Sequence, residues 1–184
     1  MIYFFTYLIY FYATALVLIY LILMVMSYYK TIRYRYQYTE REESYLREFP
    51  EEAPGISIVA PAFNEEVIIY DSVNSLLNLN YPKFEVIIVN DGSKDKTLEI
   101  LIDDFELEEV PYYYSYKVYC QPVKRIFRSR NPMFNKLIVV DKENGGTKAD
   151  AMNAGVNVAQ YDYFINTDVD CILAEDTLSK IIMP

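Results

Sequence analysis

Apolar positions come in two textures along this chain. From Ile2 to Met26 they run on without a single charged residue. Fourteen of those residues are Leu, Ile, Val or Phe. Crossing ~30 Å of hydrocarbon takes ~20 residues as a helix. Each such side chain near the helix centre favours insertion by about 0.3–0.6 kcal/mol. Tyr3, Tyr7, Tyr28 and Tyr29 suit the two interfacial belts. A cleaved signal peptide does not fit, because the run has no basic n-region, is too long and lacks a small-x-small cleavage site. The pattern therefore predicts a transmembrane anchor over residues 1–29.

Residues 30–54 read as a charged, Tyr-rich connector. Glu40-Arg41-Glu42-Glu43 and Arg47-Glu48 have the mixed charge of a solvated helix, with no function assigned.

From residue 55 the apolar runs shorten and alternate with helical spacing. Ile56 to Ala60 predicts a strand, followed by a helix with Ile69, Val73 and Leu76 at i, i+4 and i+7. Tyr81-Pro82 breaks that helix. Phe84 to Val89 predicts a second buried strand, and Leu98, Leu101, Ile102 and Phe105 mark the face of the next helix. Tyr112 to Val140 interrupts the rhythm: it predicts one strand at Tyr116 to Cys120, then a basic loop. Lys117, Lys124, Arg125, Arg128, Arg130 and Lys136 fall in this stretch with no acid among them. A solvated loop is the simpler reading; contact with an anionic leaflet or a phosphate is the other. Leu137 to Val140 predicts a strand, and a helix follows through Met152, Val156 and Ala159. Tyr161 to Asn166 predicts a last buried strand, with a helix over Glu175 to Ile182. Strands rich in Ile and Val alternating with helices imply a parallel sheet covered on both faces. The fold class is α/β: a transmembrane helix, then a Rossmann-like domain over 55–184.

Composition narrows the chemistry. The formal net charge is −9, which argues against nucleic acid as a partner. Cys120 and Cys171 lack CxxC spacing and cannot make a zinc site alone; an intracellular, reduced setting fits them. The chain has no histidine, which excludes Ser-His-Asp and Cys-His catalysis and His-based metal sites. Chemistry must rest on carboxylates, Lys, Arg, Tyr or a bound metal. Lys30, Arg33 and Arg35 follow the apolar run. The positive-inside rule then puts the domain on the cytoplasmic side of the inner or plasma membrane, with one crossing in this chain.

Acidic residues gather at predicted strand ends. Asp168 and Asp170 are spaced i, i+2, so in extended chain they share a face. Two carboxylates ~5 Å apart at an effective dielectric of ~20 repel by about 3 kcal/mol. A hard divalent cation, Mg²⁺ or Mn²⁺, turns that repulsion into binding. The alternative is that one of them caps the following helix. Asp91-Gly92-Ser93 is either a turn with an N-cap or an acceptor for a base N–H or a ribose hydroxyl. Glu65, after Pro61, has the same ambiguity. Gly145-Gly146-Thr147-Lys148 fails the P-loop pattern, since Thr147 separates Gly146 from Lys148, and no GxGxxG exists. A glycine pair before a helix with Lys148 in its first turn still offers N–H groups and a cation to phosphate, or is an ordinary loop–helix junction. Glu65, Asp91 and Asp168/Asp170 fall at the ends of three predicted parallel strands, where open α/β sheets bind ligands.

Four motifs stand in order: Pro61-Ala62-Phe63-Asn64-Glu65-Glu66, Val89-Asn90-Asp91-Gly92-Ser93, Lys142-Glu143-Asn144-Gly145-Gly146 with Lys148-Ala149-Asp150-Ala151-Met152-Asn153-Ala154-Gly155, and Asp168-Val169-Asp170. Together, over about Ile56 to Cys171, they resemble the family 2 glycosyltransferases, in particular the membrane-bound polysaccharide-synthase branch. The resemblance implies a GT-A fold, a nucleotide-sugar donor (usually a UDP-sugar) and a polysaccharide or lipid acceptor. By position it implies that Pro61 and Glu65 line the nucleoside pocket and Asp91 meets the base. Lys148 would lie near the nucleotide, Asp168 at the ribose–diphosphate, and Asp170 on Mg²⁺ or Mn²⁺. In some relatives the Lys directly follows the glycine pair. The family's general base, commonly in Thr-Glu-Asp, and its Gln-x-x-Arg-Trp motif follow the metal motif, and neither occurs here. The resemblance thus places the catalytic base beyond Pro184, implies an inverting transferase of which this is the donor-binding part, and leaves a sheet edge and an apolar face to be covered. A rival reading is an anchored nucleotide-sugar-binding protein without transferase activity. An interaction domain with no ligand would need the acidic rim to be pure capping.

Overall fold

The computed structural model describes residues 2–111 and 114–182. The chain separates into two compact units, Met1–Glu48 and Phe49–Pro184. The first is one helix, α1 (Ile2–Glu48), which continues unbroken through most of the charged connector and ends before Phe49. Its stretch Tyr3–Arg33 is long and apolar enough to cross a membrane. Large apolar side chains from Tyr3 to Met26 are exposed around the helix. The side chains of Arg35 and of Glu40 to Arg47 lie outside the described residues.

The second unit is built on a six-stranded sheet in the order β3-β4-β5-β2-β1-β6. The strands are β1 (Ile56–Ala62), β2 (Phe84–Asn90), β3 (Leu107–Glu109), β4 (Val123–Ser129), β5 (Leu137–Lys142) and β6 (Tyr163–Asn166). The helices are α2 (Ile69–Leu77), α3 (Thr97–Asp104), α4 (Lys148–Val158) and α5 (Thr177–Ile182). β5, β2, β1 and β6 run parallel, while β3 and β4 are antiparallel. Every residue of β2 and β5 is buried, as a doubly covered parallel strand requires. Val59, Ile87, Val89, Ile138 and Val140 pack with Ala151, Ala154 and Val158 of α4. The alternate residues Ile58, Val86, Ile88, Leu137 and Val139 are also fully buried, and strand alternation puts them on the opposite face. Each such side chain contributes about 1.5–3 kcal/mol.

The structure corrects several expectations. The strand read at Tyr161 to Asn166 is shorter, and it is an edge rather than a buried strand. β6 pairs only with β1, leaving Tyr163 65% and Phe164 50% exposed. An apolar run does not by itself distinguish a central strand from an edge.

Residues 116–120 form no strand, and the basic stretch beyond them is β4 rather than a loop; Tyr112, the expected start of that region, lies outside the described residues. Side chains of α4 take the backbone groups that a ladder would use. Asn157 Oδ1 accepts from the N–H groups of Lys117 and Val118 at 2.8 and 2.9 Å, and Asn157 Nδ2 donates to Val118 O at 2.7 Å. In β4, Ile126 and Phe127 are buried, while Arg125 is neutralised by Asp141 at 2.8 Å.

The buried face of α4 is Ala151, Ala154, Gly155 and Val158, whereas Met152 and Val156 are half-buried. α5 starts at Thr177, seven residues after Asp170, so neither Asp168 nor Asp170 caps it. Glu175 and Asp176 precede that helix instead of occupying its first turn.

Candidate functional site

The C-terminal ends of β1, β2, β5 and β6 open into a cleft of about 430 Å³. Pro61, Glu65, Asp91, Lys148, Asp168 and Asp170 all line it, so the structure brings together every site residue read from the sequence. Phe63, Asn144, Gly146 and Thr147 complete much of the wall.

At the end of β1 the chain turns through Asn64, whose φ of 58° lies in the left-handed region that Asn tolerates. Hydrogen bonds lace this turn to the loop after β2. Asn64 N donates to Ser93 Oγ at 3.0 Å and Glu65 N to Thr97 Oγ1 at 2.8 Å. Lys94 N donates to Asn64 Oδ1 at 2.8 Å, and Lys96 N to Glu66 Oε2 at 3.0 Å. Asp95 accepts from Glu66 N at 3.1 Å and from the Thr97 hydroxyl at 2.6 Å. Burial pushes the Asp95 carboxyl up, but its bonds to Thr97 and Glu66 outweigh burial and hold it below the usual carboxylate range. Glu65 is thereby fixed by backbone contacts, with Glu65 O accepting from Ile69 N to start α2.

Asp91 is buried, and its surroundings were not legible in the sequence. Lys142, at the end of β5 and fully buried, sets its Nζ 2.6 Å from Asp91 Oδ1 and 2.6 Å from Asp150 Oδ2. Burial lowers the pKa of Lys142, but the bonds and charges of Asp150 and Asp91 outweigh it and hold the ammonium above its ordinary value. Gly145 N donates to Asp91 Oδ1 at 3.2 Å and Asn144 Nδ2 to Asp91 O at 2.7 Å, so the glycine loop is strapped to the end of β2. A Cβ on Gly145 would meet Asp150 Oδ2 at 2.0 Å, which is why that position needs glycine. Gly146, at φ 71°, opens onto free space. Thr147 then caps α4, its side chain accepting from Asp150 N at 3.3 Å. The available signal for Lys142 was a Val-Val-Asp-Lys run, in which two charges close a strand with no polar alternation.

Beyond β6 the pairing continues one step, with Thr167 N donating to Val59 O at 3.1 Å. Thr167 and Val169 are buried while Asp168 and Asp170 are exposed. This alternation turns the two carboxylates to one side, where Asp168 forms an ion pair with Lys148. Ligand atoms of Asp168, Asp170 and Cys171 lie within 4.8 Å of one another. Ligands on opposite sides of one Mg²⁺ stand ~4 Å apart, a spacing these side chains approach. Carboxylate oxygens match Mg²⁺ and Mn²⁺; the thiol is softer.

Comparison with known proteins places the family and the fold. The model of glycosyl transferase family 2 matches residues 57–184. Poly-beta-1,6-N-acetyl-D-glucosamine synthase of Staphylococcus aureus (strain COL) is 33% identical over 156 residues, 82% of this chain and 31% of that protein. The synthase of the same name from Staphylococcus epidermidis is 30% identical over 126 residues, 68% of this chain and 24% of that protein. The chain thus spans about a third or less of the length of these curated relatives. Among solved structures, the mannosyltransferase PcManGT from Pyrobaculum calidifontis in complex with GDP-Man and Mn²⁺ aligns with a TM-score of 0.55 and 23% identity, covering 72% of this chain and 32% of that one. S. aureus TarS 1-349 in complex with UDP-GlcNAc aligns with a TM-score of 0.50 and 23% identity, covering 70% and 30%. At such identities the likeness establishes the fold, which is GT-A.

Proposed function

The chain belongs to glycosyl transferase family 2, and from that premise we propose that its cleft binds a nucleotide sugar, a UDP-sugar in the first instance, together with Mg²⁺ or Mn²⁺. The sugar is destined for a growing polysaccharide or a lipid acceptor at the cytoplasmic face of the membrane. One observation carries this reading: residues from four segments between Pro61 and Asp170 converge on a single cleft of about 430 Å³. That volume lies in the range of small-ligand sites, ~300–1,000 Å³.

In this reading Pro61 and Glu65 flank the nucleoside. A carboxylate has about four lone-pair sites, so Asp91 keeps acceptor capacity for a base N–H beside Lys142 and Gly145. The N-terminus of α4, with Gly146 before it and Lys148 in its first turn, faces the diphosphate. Asp168 meets the ribose–diphosphate region and Asp170 holds the cation. A divalent cation there neutralises charge building on the departing diphosphate. Residues 1–29 anchor the chain, and Lys30, Arg33 and Arg35 keep the domain over 55–184 in the cytoplasm.

Calorimetric titration of UDP tests the site. Wild type is expected to bind at least about tenfold more tightly with Mn²⁺ than without, and Asp170→Asn to be indifferent to the metal. Equal affinity in all four titrations would remove the cation from this reading.

A second reading, nucleotide-sugar binding without transfer, draws on one contact. Glu175 and Asp176 are the carboxylates nearest after Asp170, and Asp176 is held by Lys180 at 2.5 Å, one helical turn on. A positioned base contributes typically ~10²–10⁴-fold. On this reading the 184 residues incubated with radiolabelled UDP-sugar, Mn²⁺ and acceptors give no sustained product. Product above a metal-free control would reject it.

A further inference from the structure

Lys148 and Asp168 stand on two separately fixed platforms. Lys148 is the first residue of α4, whose start is set by the Thr147 cap and whose body packs on β1 and β2. Asp168 lies between buried Thr167 and Val169 on the chain that leaves β6. Both residues line the cleft, and their ion pair links its two walls. The side chains are 48% and 53% exposed, so the pair can exchange partners. Asp168 also belongs to the cluster with Asp170 and Cys171.

A carboxylate that pairs with an ammonium and also ligates a divalent cation would hold two positive charges together, and these repel. The pair and the cation therefore compete for Asp168. Lysine is a point charge on a flexible four-carbon stem and can swing to another anion.

We infer, resting on the cleft reading above, that Lys148 is a positioning residue. It gives up Asp168 to the cation and takes the diphosphate of the nucleotide, so that cation and nucleotide bind cooperatively. The nucleotide offers the released ammonium a new partner and lowers the cost of admitting the cation. By reciprocity, the cation frees Lys148 for the nucleotide to the same extent. This coupling adds to direct contact between cation and phosphate.

The test uses the full chain in detergent, with Mn²⁺ and UDP as probes. The electron paramagnetic resonance signal of free Mn²⁺ is the readout, which needs no sugar transfer. Without UDP, Lys148→Met is expected to bind Mn²⁺ about 1.5- to 5-fold more tightly than wild type, the span of an exposed ion pair. Its UDP affinity is expected to fall, and the gain in Mn²⁺ affinity on adding UDP to shrink relative to wild type. Lys148→Arg, which keeps the charge, is expected to match wild type in Mn²⁺ affinity without UDP. An ordinary surface ion pair would change Mn²⁺ affinity alone and leave the UDP-induced gain unaltered. Equal Mn²⁺ affinity in wild type and Lys148→Met, or an equal UDP-induced gain in both, overturns the inference alone. Absence of Mn²⁺ binding in wild type, or undiminished binding in Asp170→Asn, overturns the cation reading beneath it as well.

Discussion

Lys142 is where two strand ends and a helix start are tied together. Its ammonium joins Asp91 after β2 to Asp150 in the first turn of α4, with no exposure to solvent. Removing one partner of a buried ion pair typically costs about 3–5 kcal/mol, because the remaining charge is stranded. Lys142→Met leaves two carboxylates facing each other, so we expect a loss in that range, read from the urea midpoint. Its pH dependence follows from the raised pKa. The contribution of Lys142 is complete below the unfolded value of 10.5 and is lost as pH rises through the higher folded value. The gap between wild type and Lys142→Met is therefore expected to stay level through neutral pH and to close only above 10.5. A gap that closed between neutral pH and 10.5 would assign the stabilisation to other groups.

At the scale of elements, α4 does two jobs. Its small residues let it sit close on the sheet. A Cβ at Gly155 would approach Val59 Cγ1 to 2.4 Å and Val89 Cγ2 to 3.2 Å, and a β-branched valine in a packed strand cannot swing away. Gly155→Ala gains up to about 1 kcal/mol of helix propensity but overpacks a site where such insertions cost about 1–3 kcal/mol. Because Val59 cannot yield, overpacking wins, and a net loss of up to about 2 kcal/mol in denaturant unfolding is expected. A stabilised variant would show that α4 can move off the sheet. Asn153 and buried Asn157 of the same helix hold the irregular segment at residues 117–119 by its backbone. This is a ladder replaced by amide side chains, which is how that segment meets its hydrogen-bonding needs without being a strand.

At the scale of the whole molecule, the proposed orientation rests on an uncharged apolar run followed by Lys30 and Arg33, and labelling tests it. Cys120 is buried, and burial raises its thiol pKa, so it resists reagent; Cys171 is exposed. In a Cys171→Ser background, a cysteine introduced at Ser93 is expected to stay unlabelled by an impermeant maleimide in intact cells, while one at Ile2 is labelled. Labelling at position 93 from outside would reverse the assigned topology.

The sequence by itself determined the elements whose cause is local. Continuous Ile and Val runs specified β1, β2 and β5, because a strand buried on both faces needs no polar residue. The spacing of Ile69, Val73 and Leu76 specified α2, because those positions meet on one face. The residue types of the cleft were also visible, since carboxylates that end apolar runs must lie at strand termini. Tertiary structure decided what depends on neighbours distant in the chain. The order β5-β2-β1-β6 brings residues more than a hundred positions apart to one cleft. It leaves β6 at an edge although its sequence reads as buried. It makes a strand of the basic stretch at 123–129, because Asp141 on β5 supplies the charge that Arg125 requires. It also buries Lys142, a residue that is solvated by default, because Asp91 and Asp150 reach it from two other segments. Local pattern records what a segment can bury. Which charges it meets there is a property of the packed chain.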